Sequence, residues 1–215
     1  SRCRNLLALR QQQQSLKSRT YDLERRLLVS MREIDDRERE LLHRLARATE
    51  FRDNAVGMHL ERIARFSGLI AEAMGLPDDE VRMIELAAPL HDIGKIGLPD
   101  SILLKRGQLS PEEVEAMRAH PRIGHDILSG SASRFVQIGA LIALSHHERW
   151  DGSGYPEGLA GRDIPIAARI AAVADVFDAL TTPRVYREPW TIGQAFDYLS
   201  QEAGRKFDPD VVNAA

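Results

Sequence analysis

The first 56 residues contain neither glycine nor proline, and this absence constrains the fold more than any other feature. With no residue that breaks a helix, and with charged residues and Gln dominating, Ser1–Val56 is expected to form one long helix. Its apolar positions recur every seven residues. Leu9, Leu16 and Leu23 form one series, and Thr20, Leu27, Ile34, Leu41 and Ala48 form a second, offset from the first by four. That spacing is an a/d seam, which needs another helix to cover it. Polar residues on the remaining faces rule against a helix standing alone in solvent. The expectation is a coiled coil over residues 1–48 that joins two copies of the chain; the alternative is a long helix packed on its own domain. The first series fails at Ser30, Arg37 and Arg44, and Met31 and Leu45, one residue later, take over the contact. A step of this kind unwinds a supercoil locally. No breaker separates this helix from the rest, so it is expected to run stiffly into a domain over residues 49–215.

Charge and composition then narrow the classes of function. At 215 residues the chain has room for one ordinary domain plus an extension. A net charge of −3 and a pI near 6.2 give no polybasic surface, which argues against DNA or an anionic membrane as a partner. The single cysteine, Cys3, excludes an internal disulfide and a thiolate zinc cluster. It fits a reducing compartment, and the cytoplasm is the expected location. No apolar run approaches the roughly 20 residues needed to span a bilayer. The chain begins at Ser1 rather than Met and its last residues, from Pro209, read as helix. It is therefore expected to be part of a longer protein, truncated at its C-terminus, with an input domain upstream.

Beyond Gly57 the pattern stays helical. His59–Met74 carries Leu60, Ile63, Ala64, Ile70, Ala71 and Met74 at helical spacing and ends at Gly75. Asp78–Ile93 is the next expected helix, entered by Pro77 and three acidic residues and kinked at Pro89. Ser110-Pro111-Glu112-Glu113 marks a helix start, with Ser as N-cap and Glu at N3. That helix is expected to carry His120 at its end, where Pro121 breaks it. Ile123–Leu128, Phe135–His147, Pro165–Leu180, Thr191–Ala203 and Pro209–Ala215 follow as helices, and the glycine-rich run from Glu148 to Asp163 as an irregular loop. No stretch alternates with period two, so the expected fold is all-α, a helical bundle.

Within this frame, His91-Asp92-Ile93-Gly94-Lys95 places an imidazole, a carboxylate and an ammonium at the end of an apolar helix. Burying such groups costs several kcal/mol unless something pairs with them. His59, His120, His146, His147 and Asp175 pose the same problem on other helices, and Asp175 interrupts the apolar run Ile170–Phe177. A metal centre would supply partners to all of these residues. Imidazole and carboxylate without thiolate suit Fe, Mn, Ni, Co or Zn. Seven side chains are too many for one open site and about right for two ions, with Asp92 able to bridge them. Two dications less two aspartates and a hydroxide leave a net positive site, before Lys95 and Arg184 are counted, so an anion such as a phosphodiester is the expected substrate. Glu148 and Asp178 each lie one helical step from a candidate ligand and read as supporting residues. His125 has no assigned role.

This ordered set, followed by His146-His147-Glu148 and the loop Asp151-Gly152-Ser153-Gly154-Tyr155-Pro156, resembles the HD-GYP subfamily of HD-domain phosphohydrolases. The likeness runs from about Thr49 to Ala215 and includes Phe207-Asp208-Pro209. The resemblance implies hydrolysis of cyclic di-GMP to linear pGpG or to GMP, with two divalent metals, Fe or Mn first among them. It assigns His59, His91, Asp92, His120, His146, His147 and Asp175 as metal ligands and sets Lys95 beside them. It places Tyr155, Arg184 and Arg187 at the nucleotide, and implies a receiver or sensor domain upstream. The nucleophile implied is a hydroxide shared by the two metals, with Lys95 stabilising charge on the phosphoryl oxygens. In one respect the chain departs from the pattern. Metal-rich members carry Glu four residues before the first ligand histidine, where this chain has Ala55. Glu50, five residues earlier, is expected to point to a different side of the helix. Two metals rather than three are therefore expected. Two other readings stay open: a catalytically weak cyclic di-GMP sensor, and a phosphodiesterase that prefers pGpG.

Overall fold

The computed structural model describes residues 2–52, 58–183 and 188–215. Among the described residues every regular element is helical, and the one β pairing is a bridge between Ala203 and Phe207. The chain divides into two compact units, Ser1–Leu42 and His43–Ala215.

The first unit is helix throughout. Helix α1, Arg2–Arg52, runs without interruption, as the lack of glycine and proline requires. Leu16, Leu23, Leu27, Met31, Ile34 and Leu41 are all exposed on it, so neither heptad series finds a partner within its own unit.

The second unit is built on α2, His59–Ala73, which packs against α3, Asp78–Ala87, and α8, Ile166–Thr181. Its core joins Ile63, Ile70 and Ala71 of α2 to Ile84 and Ala87 of α3, and to Ile170, Val173 and Ala174 of α8. Small residues on the inner face of α8 let the helices approach closely, while Ile142 comes from α7, Arg134–Ser145. Helices α9, Ile192–Gln201, and α10, Pro209–Ala214, close one side through Leu199, Val211 and Val212. An ion pair between Arg169 and the buried Asp208 fastens α8 to the start of α10.

Three local details depart from expectation, and the first two position site residues. The helix begun at Asp78 does not kink at Pro89; it ends at Ala87 and gives way to two 3₁₀ turns, Ala88–Leu90 and Ile93–Gly97, flanking His91 and Asp92. His120 opens a helix instead of closing one. α5, Pro111–Met117, stops short of it, and α6, His120–Leu128, holds Pro121 in its first turn, where no amide donor is needed. Short helix α4, Asp100–Leu103, was not foreseen. The start of α5 matches expectation: Ser110 and Glu113 form a reciprocal capping box.

Candidate metal centre

The site begins with a backbone approach. Gly94, in the turn after Asp92, lies so close to α6 that a Cβ there would stand 1.9 Å from His120 O and 2.4 Å from Gly124 N. Only glycine allows that contact, which draws His91 and Asp92 to the start of α6 and hence to His120. Arg52, at the end of α1, holds the same turn from outside. Its guanidinium donates to Ile96 O at 2.6 Å, Leu98 O at 2.5 Å and Asp100 Oδ1 at 2.7 Å.

The histidines are aimed by their Nδ1 atoms. His91 Nδ1–H donates to Ala88 O at 3.0 Å, His120 Nδ1–H to Met117 O at 2.7 Å, and His146 Nδ1–H to Ala143 O at 3.0 Å. A carbonyl can only accept, so Nδ1 carries the proton in each ring and Nε2 is left as the ligating nitrogen. His59 Nδ1–H donates to Asp178 Oδ2 at 2.6 Å, and Arg62 fixes that carboxylate from its other side. These contacts position each ring before any ion arrives.

The Nε2 atoms converge on Asp92 from two directions. Oδ1 lies 3.3 Å from His120 Nε2 and 3.7 Å from His146 Nε2. Oδ2 lies 3.3 Å from His91 Nε2 and 2.8 Å from Lys95 Nζ. His147 Nε2 stands 3.2 Å from His120 Nε2, and His59 Nε2 lies 3.8 Å from Asp175 Oδ1. Two donor sets result. Asp92, His120, His146 and His147 form one, and His59, His91 and Asp175 the other; within each set one ligand atom per residue lies within 4.8 Å of the rest. All seven residues expected as ligands are brought together. The donors also fit a cation: Nε2 of His91 and of His146 is buried without a hydrogen-bond partner, an expensive condition that a metal ion would relieve.

The electrostatics follow from this packing. Burial alone would lower the His91 pKa, yet the charge of Asp92 at 3.3 Å, with Asp175 behind, raises it to about 9. Burial pushes the Asp92 carboxyl upward, but Lys95 and His91 outweigh it and hold the group well below the usual carboxylate range. His146 and His147 are both shifted down, chiefly by burial and then by their imidazole neighbours, and so are held neutral.

Tyr155 packs beside the site. Its ring stacks on His147 with centroids 4.8 Å apart, and the Arg118 guanidinium lies 5.1 Å from the ring centre. Burial raises the phenol to about 12, so it stays protonated and can donate. Gly154 makes this loop possible, because a Cβ there would meet Arg149 N at 2.4 Å. Glu148 has a structural part: its carboxylate accepts from the backbone N–H groups of Glu157, Gly158 and Leu159.

Several expectations need correction or lie beyond what is described. Asp175 is not the buried carboxylate its apolar surroundings suggest; its side chain is 27% exposed, and Asp178, at 2%, is the buried one. Glu50 does not face away from the site: it lines a cavity with His59, His91, Asp92 and Lys95. The sequence held the signal, since Ala46, Thr49 and Glu50 share one helical face, and the first two are buried. Arg62 and Arg118 were missed; each stands within three positions of a ligand histidine, a spacing too common to single them out. Arg184, Arg187 and Ala55 fall outside the described residues. No helix among the described residues is long and apolar enough to cross a membrane.

An all-helical domain that brings two adjacent histidine–aspartate clusters together defines a class of helical domains with a candidate metal centre. The comparisons agree. A family profile described as HD domain matches residues 4–211. The chain is 59% identical over 214 residues to the cyclic di-GMP phosphodiesterase response regulator RpfG of Xanthomonas campestris, covering 100% of this chain and 57% of that protein. It is 49% identical to a cyclic di-GMP phosphodiesterase of Thermotoga maritima, covering 93% of this chain and 54% of that one. With the 3'3'-cGAMP-specific phosphodiesterase 2 of Vibrio cholerae it shares 46% identity, over 86% of this chain and 35% of the relative. The chain thus spans about half the length, or less, of these curated relatives. Among solved structures, a cyclic GMP-AMP specific phosphodiesterase of V. cholerae (V-cGAP3) superposes with a TM-score of 0.61 at 23% identity, covering 82% of this chain and 47% of that one. Bd1817, an HDG"Y"P protein from Bdellovibrio bacteriovorus, gives 0.56, also at 23% identity, covering 73% of this chain and 49% of that one; both bear on the fold alone. The chain belongs to the HD-domain family, in its HD-GYP group.

Proposed function

We propose that the domain hydrolyses a phosphodiester bond of cyclic di-GMP at a centre of two divalent metal ions. One observation carries this reading: Asp92 turns Oδ1 to His120 and His146 and Oδ2 to His91, so one carboxylate serves two donor sets. His59, His91 and Asp175 would hold one ion, and His120, His146 and His147 the other, with Asp92 shared. Fe or Mn suits this imidazole–carboxylate set, and Ni, Co or Zn can occupy it. When bound, such ions polarise phosphoryl oxygens and make water nucleophilic near neutral pH.

The chain's own residues do the rest. Lys95, paired with Asp92 at 2.8 Å, neutralises charge that builds on the phosphoryl oxygens. Tyr155, stacked on His147 and backed by Arg118, offers a guanine a flat face and a hydroxyl donor. Arg184 and Arg187 are proposed from the motif as phosphate contacts. The bond formed joins a water oxygen to phosphorus and the bond broken is that to a ribose 3'-oxygen, which leaves with a proton. The first product is pGpG, and a second round at the same centre gives GMP.

The relatives favour cyclic di-GMP over cGAMP, because the 59% and 49% identical proteins are both cyclic di-GMP phosphodiesterases by name. The test is to incubate Mn- and Fe-loaded protein with cyclic di-GMP, pGpG and 3'3'-cGAMP and to resolve the products by chromatography. Cleavage of cyclic di-GMP is expected. Tight binding without turnover would favour a sensor, and turnover of pGpG alone a pGpG phosphodiesterase.

Around this domain, the proposed organisation is a cytoplasmic homodimer through a coiled coil over residues 1–48, carrying input from an upstream receiver or sensor domain to the HD-GYP domain at 49–215. The exposed heptad leucines support the dimer. Light scattering should give twice the 24.1 kDa chain mass, and a Leu27→Asp, Leu41→Asp variant should give the single mass. A monomeric parent would remove the coiled coil from this scheme.

A further inference from the structure

We propose that Glu50 belongs to the metal centre, where its carboxylate serves the cation held by His59, His91 and Asp175. This assignment rests on the two-ion reading above and adds to it a residue that the seven-ligand set does not contain.

Three observations lead there. Glu50 Oε1 is buried and has no hydrogen-bond partner. On an amphipathic helix such an oxygen would ordinarily be turned to water, and burial without a partner is costly. Secondly, Glu50 shares the walls of one small cavity with His59, His91, Asp92 and Lys95, and about 20 Å³ of that cavity is open to the centre of a water-sized sphere. That is room for one water or one ion. Thirdly, His91 Nε2, on the same cavity, is also buried and unpartnered.

Acceptors therefore outnumber what a lone water could satisfy. With its Nδ1–H donating to Asp178, His59 presents Nε2 as a lone pair, and His91, whose Nδ1–H donates to Ala88 O, presents the same once an ion displaces the proton on its Nε2. Asp175 and Glu50 add carboxylate oxygens; Lys95 on the same cavity is paired with Asp92 at 2.8 Å, and one water has only two protons to share among the rest. A divalent cation meets every one of them. The charge count agrees in sign: two dications less Asp92 and Asp175 leave two excess positive charges, one of which Glu50 neutralises. Glu50 lies outside the tight donor set itself, so it reaches the ion across the cavity, directly or through the one water that fits there.

The experiment is metal titration with elemental analysis on the full chain as wild type, Glu50→Gln and Glu50→Ala, with circular dichroism of the metal-free proteins as the check on folding. Wild type is expected to take two equivalents. In both variants one equivalent should bind about 10- to 100-fold more weakly, as when a group supporting a ligand is removed, while the other binds as in wild type. Gln keeps the shape and hydrogen-bonding capacity, so a purely structural Glu50 would be rescued in that variant and a charge-bearing one would not. Two unchanged affinities in both variants overturn the assignment. So does a third equivalent that disappears alone, because Glu50 would then serve a separate ion. Wild-type protein that takes up fewer than two equivalents overturns the two-ion reading itself, a result told apart by appearing before any substitution is made.

Discussion

Asp92 carries more of the site's electrostatics than any other single residue. Its two oxygens face different imidazoles, and its charge is what lifts His91 against the effect of burial. Asp92→Asn keeps the size and removes both effects. Both metal affinities should fall at least about 10-fold, and the His91 pKa in the metal-free protein should drop below its present value near 9, a change that NMR titration of the imidazole would register. Unchanged metal content in that variant would remove Asp92 from the bridging role proposed for it. Lys95 lies 2.8 Å from the same carboxylate but is a cation, so it cannot be a ligand at neutral pH. Lys95→Met should therefore retain its metals and lose about 10²–10³ in kcat, the scale of removing one donor from a developing oxyanion. A KM that rises while kcat holds would instead make Lys95 a ground-state binding residue.

At the scale of elements, the site depends on how closely the turn after Asp92 approaches α6. Gly94→Ala places a methyl carbon 1.9 Å from His120 O, so the turn must withdraw and carry Asp92 away from His120. We expect a loss of about 1–3 kcal/mol in stability, the usual range for forced overpacking, with a matching loss of metal uptake. Gly193→Ala on α9, where nothing lies within 4 Å of the added carbon, is the control and should be neutral or slightly stabilising. A thermal melt and elemental analysis of the two variants decide it. The same elements show what could be read in the sequence. Helix α2 and the Ser110 capping box were legible because their signals are local: apolar spacing, a cap residue and a terminal glycine. The clustering of the seven residues was legible because so many polar groups on apolar helices demand a common partner. Pro89 and Pro121 were misread, since proline in a first turn and proline as a breaker look alike until the neighbouring helix ends are known. Burial is not written in local spacing: Asp175 and Asp178 lie one turn apart on α8, and only the packing of α2 decides which is covered. Glu50 was misplaced because its direction was judged from Ala55 rather than from its own buried neighbours Ala46 and Thr49.

Across the whole molecule, metal binding, folding and pH are one coupled equilibrium. In the metal-free protein the His91 pKa is about 9, above the ordinary value near 6.5. A raised histidine pKa contributes stability that is fully present below about 6.5 and is lost as pH climbs through 9. Metal binding has the opposite sign, because an ion needs the neutral imidazole and must displace that proton. Between about pH 7 and 9 the affinity of the set containing His59, His91 and Asp175 should therefore rise about tenfold per pH unit, and flatten above 9. The other set behaves differently: His146 and His147 are already held neutral by burial, so the proton on His91 does not stand in its way. Titration calorimetry in two buffers of different ionisation enthalpy would count the protons released, with about one expected for the first set near pH 7.5. A pH-independent affinity for both ions would mean that His91 is neutral before the metal arrives, and that Asp92 spends its charge on Lys95 alone.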